Sequence, residues 1–220
     1  MELDRIVSGR YSCRKYLPKP VPRETIDAIL ELAQKTPSWC NTQPWNVILL
    51  SGAAADRFRE AMHAHASKGE AINPDFPFPP RYEGVYRDRR KVCGVQLYQA
   101  LKIGREDKAA AAEQSLENFR MFGAPHLALI TSEAELGVYG AVDCGLYVSN
   151  FMLAAGNHGV ATIAQAALAS YPEFIRRYFD LPANRKMICG IALGYADESH
   201  PINGYRTARV PLADSVRYVD

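Results

Sequence analysis

The chain has 220 residues, about 1.5 times the usual length of one domain, so we expect a single large domain over residues 1–220. Hydrophobic residues make up 48% and charged residues 23% of the sequence, a balance that supports a full core and excludes a disordered chain. The 26 basic and 24 acidic residues leave a net charge of +2, which is too even for a protein dedicated to nucleic acid or to a membrane surface.

Signals for membranes, secretion and metals are missing from the sequence. No stretch reaches the roughly 20 apolar residues that cross a bilayer, so we expect no membrane segment. The first six residues carry two acids where a secretory signal needs a basic and then an apolar region. The five cysteines are odd in number and at least 27 residues apart, without the spacing of a zinc or thioredoxin motif. We therefore expect a cytoplasmic protein with reduced thiols and no metal site.

The first third of the chain predicts two helices around a strand. Apolar residues at positions i, i+3, i+4 and i+7 from Ile26 form one stripe and predict a helix over residues 22–35, which Pro37 ends. The short apolar run 45–50 predicts a buried strand. A second helical pattern covers residues 53–68.

Residues 69–90 interrupt this regular pattern. Four prolines, at 74, 77, 79 and 80, exclude a regular helix, and aromatic residues alternate with charged ones. A connection of this length is usually a lid, a binding loop or a linker, and disordered linkers rarely contain so many aromatic residues. We therefore predict a mobile lid over a binding site.

Helices and strands continue in the rest of the chain. Helices are predicted at 92–103, 106–121, 141–158 and 172–180, strands at 126–131 and 187–195, and an extended C-terminal arm at 196–220. Helix 141–158 is apolar on nearly every face, which places it at the centre of the fold or at a subunit interface. Helices outnumber strands and lie between most of them, so we expect an α+β fold of the α/β type, with a mixed central sheet flanked by helices.

Residues 10–14 (Arg-Tyr-Ser-Cys-Arg) form the first candidate binding segment. In an extended chain Arg10, Ser12 and Arg14 point to one side. Two guanidinium groups and a hydroxyl can then bind one phosphate. The alternative is a solvated basic segment without a ligand.

The polar turn at residues 37–45 is the second candidate. Asn and Gln side chains offer donors and acceptors that match the polar edge of a flavin or pyrimidine ring, and Trp and Pro provide flat walls. A polar turn with two prolines and no ligand would look similar, so both interpretations stay open.

Two later segments add small and basic residues. Residues 159–168 are almost all small, which lets backbone amides approach a flat ligand closely; a packed strand is the alternative. Arg206 and Arg209 lie in an irregular stretch from which they can reach an anion, and an exposed basic tail is the alternative there.

The remaining polar residues are expected to have structural rather than catalytic roles. The sequence has no dinucleotide-binding, phosphate-loop, zinc-protease or serine-hydrolase motif. His126 and His158 stand at the ends of elements and are expected to be structural. Asp143 and Asn150 in the apolar helix need partners, and we expect buried anchors rather than catalytic groups.

Taken together, these segments resemble the nitroreductase family of FMN-dependent oxidoreductases. The family's R-[RHY]-S-x-R motif matches residues 10–14, and its P-S-x-x-N-x-Q-P-W turn matches residues 37–45 without a gap. Its late A-x-G-Y motif matches residues 192–195, with basic residues beyond it. The ending at 200–209 and the stretch 119–125 look most like the nitrobenzoate-reductase branch, although Gly123 stands where that branch usually has Asp.

This resemblance implies an intertwined homodimer with two FMN sites, each built from both subunits, and an arm that embraces the partner. The implied phosphate contacts are Arg10, Ser12, Arg14, Arg209 and Arg206, with Tyr11 as a further cofactor-binding residue. The other implied FMN contacts are Pro37, Ser38, Asn41 and Gln43 from the turn of the other subunit, and Gln165, Ala166 and Ala167 beside the ring. Which of Arg206 and Arg209 holds the phosphate is left open.

The implied activity is reduction of nitroaromatic or quinone-like acceptors by NADH or NADPH, in a ping-pong two-electron (hydride) transfer through the flavin. The flavin carries the reaction, so no catalytic side chain is assigned. We expect Phe76, Tyr82, Phe119 and Phe122 to stack on a small planar aromatic acceptor. The alternatives are other FMN chemistry on the same fold, such as ene reduction or reductive dehalogenation, and a non-enzymatic flavin-binding module.

Overall fold

The structure is a computed structural model that describes residues 3–219; residues 1, 2 and 220 of the expected domain lie outside the described residues. The helices are α1 (Leu3–Gly9), α2 (Arg23–Ala33), α3 (Ala53–Ala66), α4 (Gly84–Ala100), α5 (Lys108–Leu116), α6 (Gly137–Asn157) and α7 (Pro172–Tyr178). The strands are β1 (Asn46–Ser51), β2 (His126–Glu133), β3 (Ala161–Gln165) and β4 (Arg185–Gly194). These elements confirm the α+β class.

The four strands form one sheet in the order β1-β2-β4-β3, and all neighbouring strands run antiparallel. Within the described residues, parallel pairing enters at an isolated bridge between Ser12 and Thr162, and the mixed character of the sheet is limited to this contact. Beside the bridge, Cys13 N–H donates to Thr162 O at 3.1 Å. The edge strand β3 therefore has the N-terminal binding segment next to it.

Alternating residues of β2 separate two apolar clusters. Leu127 and Leu129 pack on one face of the sheet with α3 and α7, whereas Ala128 and Ile130 pack on the other face with α2 and α6. The alternation follows from the two-residue period of a strand. Helices therefore cover both faces of the sheet, and each face has its own core.

The irregular segment in the structure is shorter than the lid predicted at residues 69–90. Residues 84–90 form the first turns of α4 and are not irregular. The last of the four prolines is Pro80, and Gly84 opens the helix with a φ of +51°, which suits glycine. The irregular part of the lid therefore ends at Glu83.

Three other elements differ from expectation. The helix expected at 106–121 is limited to α5, and Phe122 beyond it takes a φ of +52°. The small-residue segment 159–168 contains β3, so its packed-strand interpretation is correct for Ala161–Gln165. Helix α1 was not expected because seven residues are too few to show helical periodicity, and none of them is buried.

Helix α6 is the long apolar helix that the sequence places at the centre of the fold or at a subunit interface. Its buried side includes Tyr147 and Phe151, and the Tyr147 ring stacks on Trp45 at 5.0 Å. By length and composition alone, the stretch Ala134–Asn157 would suffice to cross a membrane, so our expectation that no stretch is long enough was too strict. In this structure 44% of its most apolar part is buried inside the protein.

His126 at the start of β2 is a structural histidine, as expected. It is 3% exposed. Its Nε2 accepts a hydrogen bond from Val21 N at 2.8 Å, and its Nδ1 lies 2.7 Å from Ser51 Oγ. Because a backbone N–H can only donate, Nε2 is unprotonated and the ring proton lies on Nδ1. Burial lowers the pKa of His126 below its ordinary value.

We expect the protein to lose stability as the pH falls below about 6.5, the ordinary pKa of histidine. Between that value and the lower pKa of the folded state, only the unfolded chain binds a proton at His126. The free energy of unfolding should therefore decrease with falling pH, by at most about 1.4 kcal/mol per pH unit from this residue. Urea unfolding from about pH 8 to about pH 5 measures the slope. His126→Gln should flatten it, and equal slopes in both proteins would contradict the assignment.

Candidate functional site

Two distant parts of the chain meet at a basic cavity of about 490 Å³. Among the residues that line it are Arg10, Tyr11, Ser12, Arg14, Cys93, Tyr205, Arg206, Thr207 and Arg209. Six of these are expected cofactor contacts: the five residues expected at the phosphate, and Tyr11. The N-terminal segment supplies four of them and the C-terminal arm supplies two.

Buried Asn203 joins the two segments. It is 3% exposed; its Oδ1 accepts from Arg14 N at 2.9 Å, and its Nδ2 donates to Lys15 O at 2.8 Å. The hydroxyl of Tyr205 adds a second link by accepting from Arg14 Nη1 at 3.0 Å. Neither Asn203 nor Tyr205 is among the residues expected at the site. Asn203 is followed by Gly204, and this local signal indicates a turn rather than a binding residue.

The cavity carries positive charge that no carboxylate of the described residues neutralises. Among residues 3–219, no carboxylate lies within 4.0 Å of the four arginines of the cavity. Burial, and secondly the like charge of Arg209, lower the pKa of Arg10. A bound anion would relieve this repulsion, so a phosphate group is a suitable occupant.

Arg206 and Arg209 are held in different ways. The guanidinium of Arg206 lies 3.7 Å from the centroid of the Tyr11 ring and donates to Asn203 O at 2.7 Å. Arg209 Nη1 donates to Thr207 Oγ1 at 3.0 Å and to carbonyls of its own exposed stretch. Stacking and a backbone contact therefore fix Arg206, and Arg209 is the better placed of the two to turn toward an anion.

Strand β3 leads from this cavity toward the expected ring contacts. It starts beside Ser12, and the small side chains of Ala164 and Ala166 are exposed. The side chain of Gln165 faces the opposite way: it is 2% exposed, and its Nε2 donates to Asn118 O at 2.9 Å. Gln165 can therefore reach a ligand on the alanine side only through its backbone.

The turn at residues 37–45 forms a separate surface. Pro37, Asn41 and Gln43 are exposed, Ser38 is half-buried, and none of them lines the arginine cavity. The turn is closed from within, because Gln43 N–H donates to Ser38 Oγ at 2.9 Å. One chain by itself therefore does not bring all the expected cofactor contacts together.

The four expected acceptor contacts differ in exposure. Phe122 is 4% exposed and belongs to the core; its ring has no free face, so we remove it from the proposed contacts. Phe76 and Phe119 are half-buried. Tyr82 is 42% exposed, and the guanidinium of Arg90 lies 5.3 Å from its ring centroid.

Asp75 ties the lid to the body of the protein. Its side chain is 5% exposed and accepts from Arg176 Nη1 at 2.7 Å and from Met187 N at 2.8 Å. Lys186 Nζ lies 3.4 Å from the same carboxylate. Asp75 was not expected to have a role, and this fixed point corrects the expectation that the whole lid is mobile.

Comparison with known proteins assigns the chain to a family. The sequence profile of the nitroreductase family matches residues 7–195, which include the arginine segment, the polar turn and β3. The chain belongs to the nitroreductase family. This membership confirms the resemblance that the motifs at 10–14 and 37–45 indicate.

Relatives match the chain over nearly its full length. Nitroreductase NfnB of Mycolicibacterium smegmatis is 39% identical over 98% of this chain and 92% of that protein. The 4-nitrobenzoate reductase of Pseudomonas putida is 32% identical over 94% of this chain and 91% of that protein. The crystal structure of the FMN and NADPH-dependent nitroreductase NfnB from Sphigopyxis sp. strain HMH superposes with a TM-score of 0.96 and 29% identity, covering 100% of both chains. The nitroreductase fold is thereby confirmed.

Proposed function

We propose that this protein is an FMN-dependent NAD(P)H oxidoreductase that reduces nitroaromatic or quinone-like acceptors. The observation that carries the proposal is a cavity next to the edge strand β3, in which four arginines meet without a carboxylate partner among residues 3–219. The two relatives found by sequence are named as a nitroreductase and a 4-nitrobenzoate reductase. These names agree with the activity that the motifs of this family imply.

The residues of the cavity fit FMN. Arg10, Ser12, Arg14 and Arg209 would hold the phosphate, because their donor groups line one cavity and lack a carboxylate partner among the described residues. Arg206 would support them by fixing Tyr11. When bound, FMN supplies the two-electron chemistry between donor and acceptor, and the protein binds it, orients it and sets its electrostatic surroundings.

Small residues beyond the cavity fit the flat part of the cofactor. Ala166 is exposed and Ala167 is half-buried just after β3, so side chains there would not obstruct a ring. Phe76, Tyr82 and Phe119 would offer aromatic faces to a small planar acceptor. We infer NADPH as the electron donor, because the structurally similar nitroreductase is described as NADPH-dependent.

A second copy of the chain would complete the site in an intertwined homodimer. Helix α6 exposes an apolar stripe made of Val138, Tyr139, Val142 and Leu146, each between 47% and 71% exposed. Contiguous apolar surface of this kind is typical of an interface. Trp39 of the polar turn contacts Tyr139 edge-on, with ring centroids 4.8 Å apart. A partner that covers the stripe would therefore also meet the turn that carries Asn41 and Gln43.

Residues 1–220 would form one FMN-binding domain in the cytoplasm. Both apolar clusters are built on the same sheet, which favours one folding unit. The five cysteines are free thiols, as is usual in a reducing compartment. Fractionation of cells that express the protein would test the location.

The purified protein is expected to be yellow and to oxidise NADPH when 4-nitrobenzoate or a quinone is present. Absorbance spectra before and after addition of FMN test cofactor binding, and steady-state NADPH consumption with and without acceptor tests turnover. A colourless protein that gains no flavin absorbance would overturn the proposal. Bound flavin without acceptor-dependent oxidation of NADPH would favour the flavin-binding module instead.

A further inference from the structure

A buried carboxylate of α6 holds the polar turn. Asp143 is 7% exposed, and its Oδ2 accepts a hydrogen bond from Trp39 N at 3.0 Å. Among residues 3–219, no Lys, Arg or His side chain lies within 4.0 Å of this carboxylate. A buried carboxylate without a cation depends on hydrogen-bond donors, so Asp143 and the turn stabilise each other.

Asn150 makes a second contact of the same kind. It lies seven residues after Asp143, two turns along the same side of α6. Its Nδ2 donates to Thr36 Oγ1 at 2.8 Å, and Thr36 Oγ1 donates to Ala33 O at 2.7 Å. The central helix therefore holds the chain at Thr36, immediately before the turn, and again at Trp39 within it.

The turn needs such support because its backbone is strained. Cys40, Asn41 and Gln43 have φ angles of +51°, +55° and +46°. The left-handed region is unfavourable for Cys40 and Gln43, whereas Asn tolerates it better. Strained backbone persists only where its surroundings fix it. Without the contact at Trp39, these residues would relax toward ordinary φ values, and the Asn41 and Gln43 amides would change position.

We propose that Asp143 is a positioning residue for cofactor binding. It holds the strained turn so that Asn41 and Gln43 present their amides to the FMN bound in the arginine cavity of the other subunit. This inference rests on the proposed function and on the homodimer, and it adds a residue of α6 that does not itself touch the cofactor. Asn150 supports the same geometry from the start of the turn.

FMN titration of the apoprotein tests the role of the Asp143 oxygen. Asp143→Ala removes the acceptor, and we expect the affinity for FMN to fall roughly 10- to 150-fold, the range for a lost hydrogen bond to a charged group. Asp143→Asn keeps an oxygen at the same place and should restore most of the affinity. Val148→Ala, which creates a small defect elsewhere on α6, is the matched control and should bind FMN like the wild type.

The outcomes separate this inference from the proposed function. If the wild-type apoprotein binds no FMN, the proposed function fails. If the wild type binds FMN and Asp143→Ala binds it equally well, the positioning role is wrong and the function stands. Equal losses in Asp143→Ala and Val148→Ala would also overturn the positioning role, because they would indicate general destabilisation.

Hydrogen exchange in the FMN-free protein tests the contact itself. The Trp39 amide donates to Asp143, so it should exchange faster in Asp143→Ala, while amides in the middle of α2 should keep their wild-type rates. Asp143→Asn should return the Trp39 rate close to that of the wild type. Unchanged exchange at Trp39 in Asp143→Ala would show that the carboxylate does not hold the turn.

Mixed dimers test whether the turn acts on the other subunit. A dimer of one Asp143→Ala chain and one Arg14→Ala chain would have both defects at one site and neither at the other. We therefore expect one FMN of wild-type affinity per mixed dimer. If the turn acted on the site of its own chain, each of the two sites would carry one defect. Mixed dimers that bind no FMN with wild-type affinity would therefore overturn the proposed arrangement.

Discussion

Asp75→Ala is expected to lower the free energy of unfolding by about 3 kcal/mol, the lower end of the range for a broken buried pair, because it would leave a mostly buried guanidinium without its partner. The Asp75 side chain is 5% exposed and that of Arg176 is 16% exposed, and their closest atoms are 2.7 Å apart. The same substitution removes the acceptor of Met187 N in β4. The loss should therefore combine an unpaired charge with an unsatisfied backbone donor.

Urea unfolding of the FMN-free protein measures this effect without a contribution from the cofactor. Asp88→Ala is the control, because Asp88 pairs with Arg87 at 3.4 Å on a surface where both side chains are more than 60% exposed, and such pairs contribute about 0–1 kcal/mol. A loss for Asp75→Ala no larger than that of the control would show that the anchor adds little to stability.

Arg14→Ala is expected to weaken FMN binding by roughly 10- to 150-fold, which corresponds to one charge-assisted hydrogen bond to the phosphate. Arg14 lines the cavity, and its Nη1 is already oriented by Tyr205 OH and Ser12 O. Arg14→Lys keeps the charge but not the planar fork of donors, so it should recover only part of the affinity.

Riboflavin separates the phosphate contact from other effects of the same substitution. It lacks the phosphate, so Arg14→Ala should change its affinity little. Lys15→Ala removes the same charge from an exposed neighbouring position and serves as the second control. Equal weakening of FMN and riboflavin by Arg14→Ala would contradict a phosphate contact at this residue.

Local periodicity was sufficient to predict the elements that pack on the sheet. The stripe that starts at Ile26 is the buried side of α2, and the apolar helix predicted at 141–158 is α6. Prediction from local periodicity failed where the local pattern was weak or misleading. Prolines up to Pro80 suggested an irregular segment as far as residue 90, although α4 begins at Gly84.

The candidate site was predictable only where neighbouring residues carry the signal. Alternation along residues 10–14 indicated three groups on one side, and all three line the cavity. The residues that join the cavity segments and anchor the lid have distant partners. Asn203 bonds to a residue 189 positions away, and Asp75 bonds to one 101 positions away. A single sequence contains no local pattern for such pairs, so Asn203 and Asp75 could be found only in the structure.

For the proposed FMN site, the order of synthesis also determines when the cofactor could bind. Arg10 and Arg209 line the same cavity, yet 199 positions separate them in the order of synthesis. At about 5–20 residues per second, a ribosome needs roughly 10–40 s to make the chain between them. In the proposed site, the N-terminal arginines would therefore lack Arg209 through most of translation. FMN could then be bound at full affinity only after the C-terminal arm had been made.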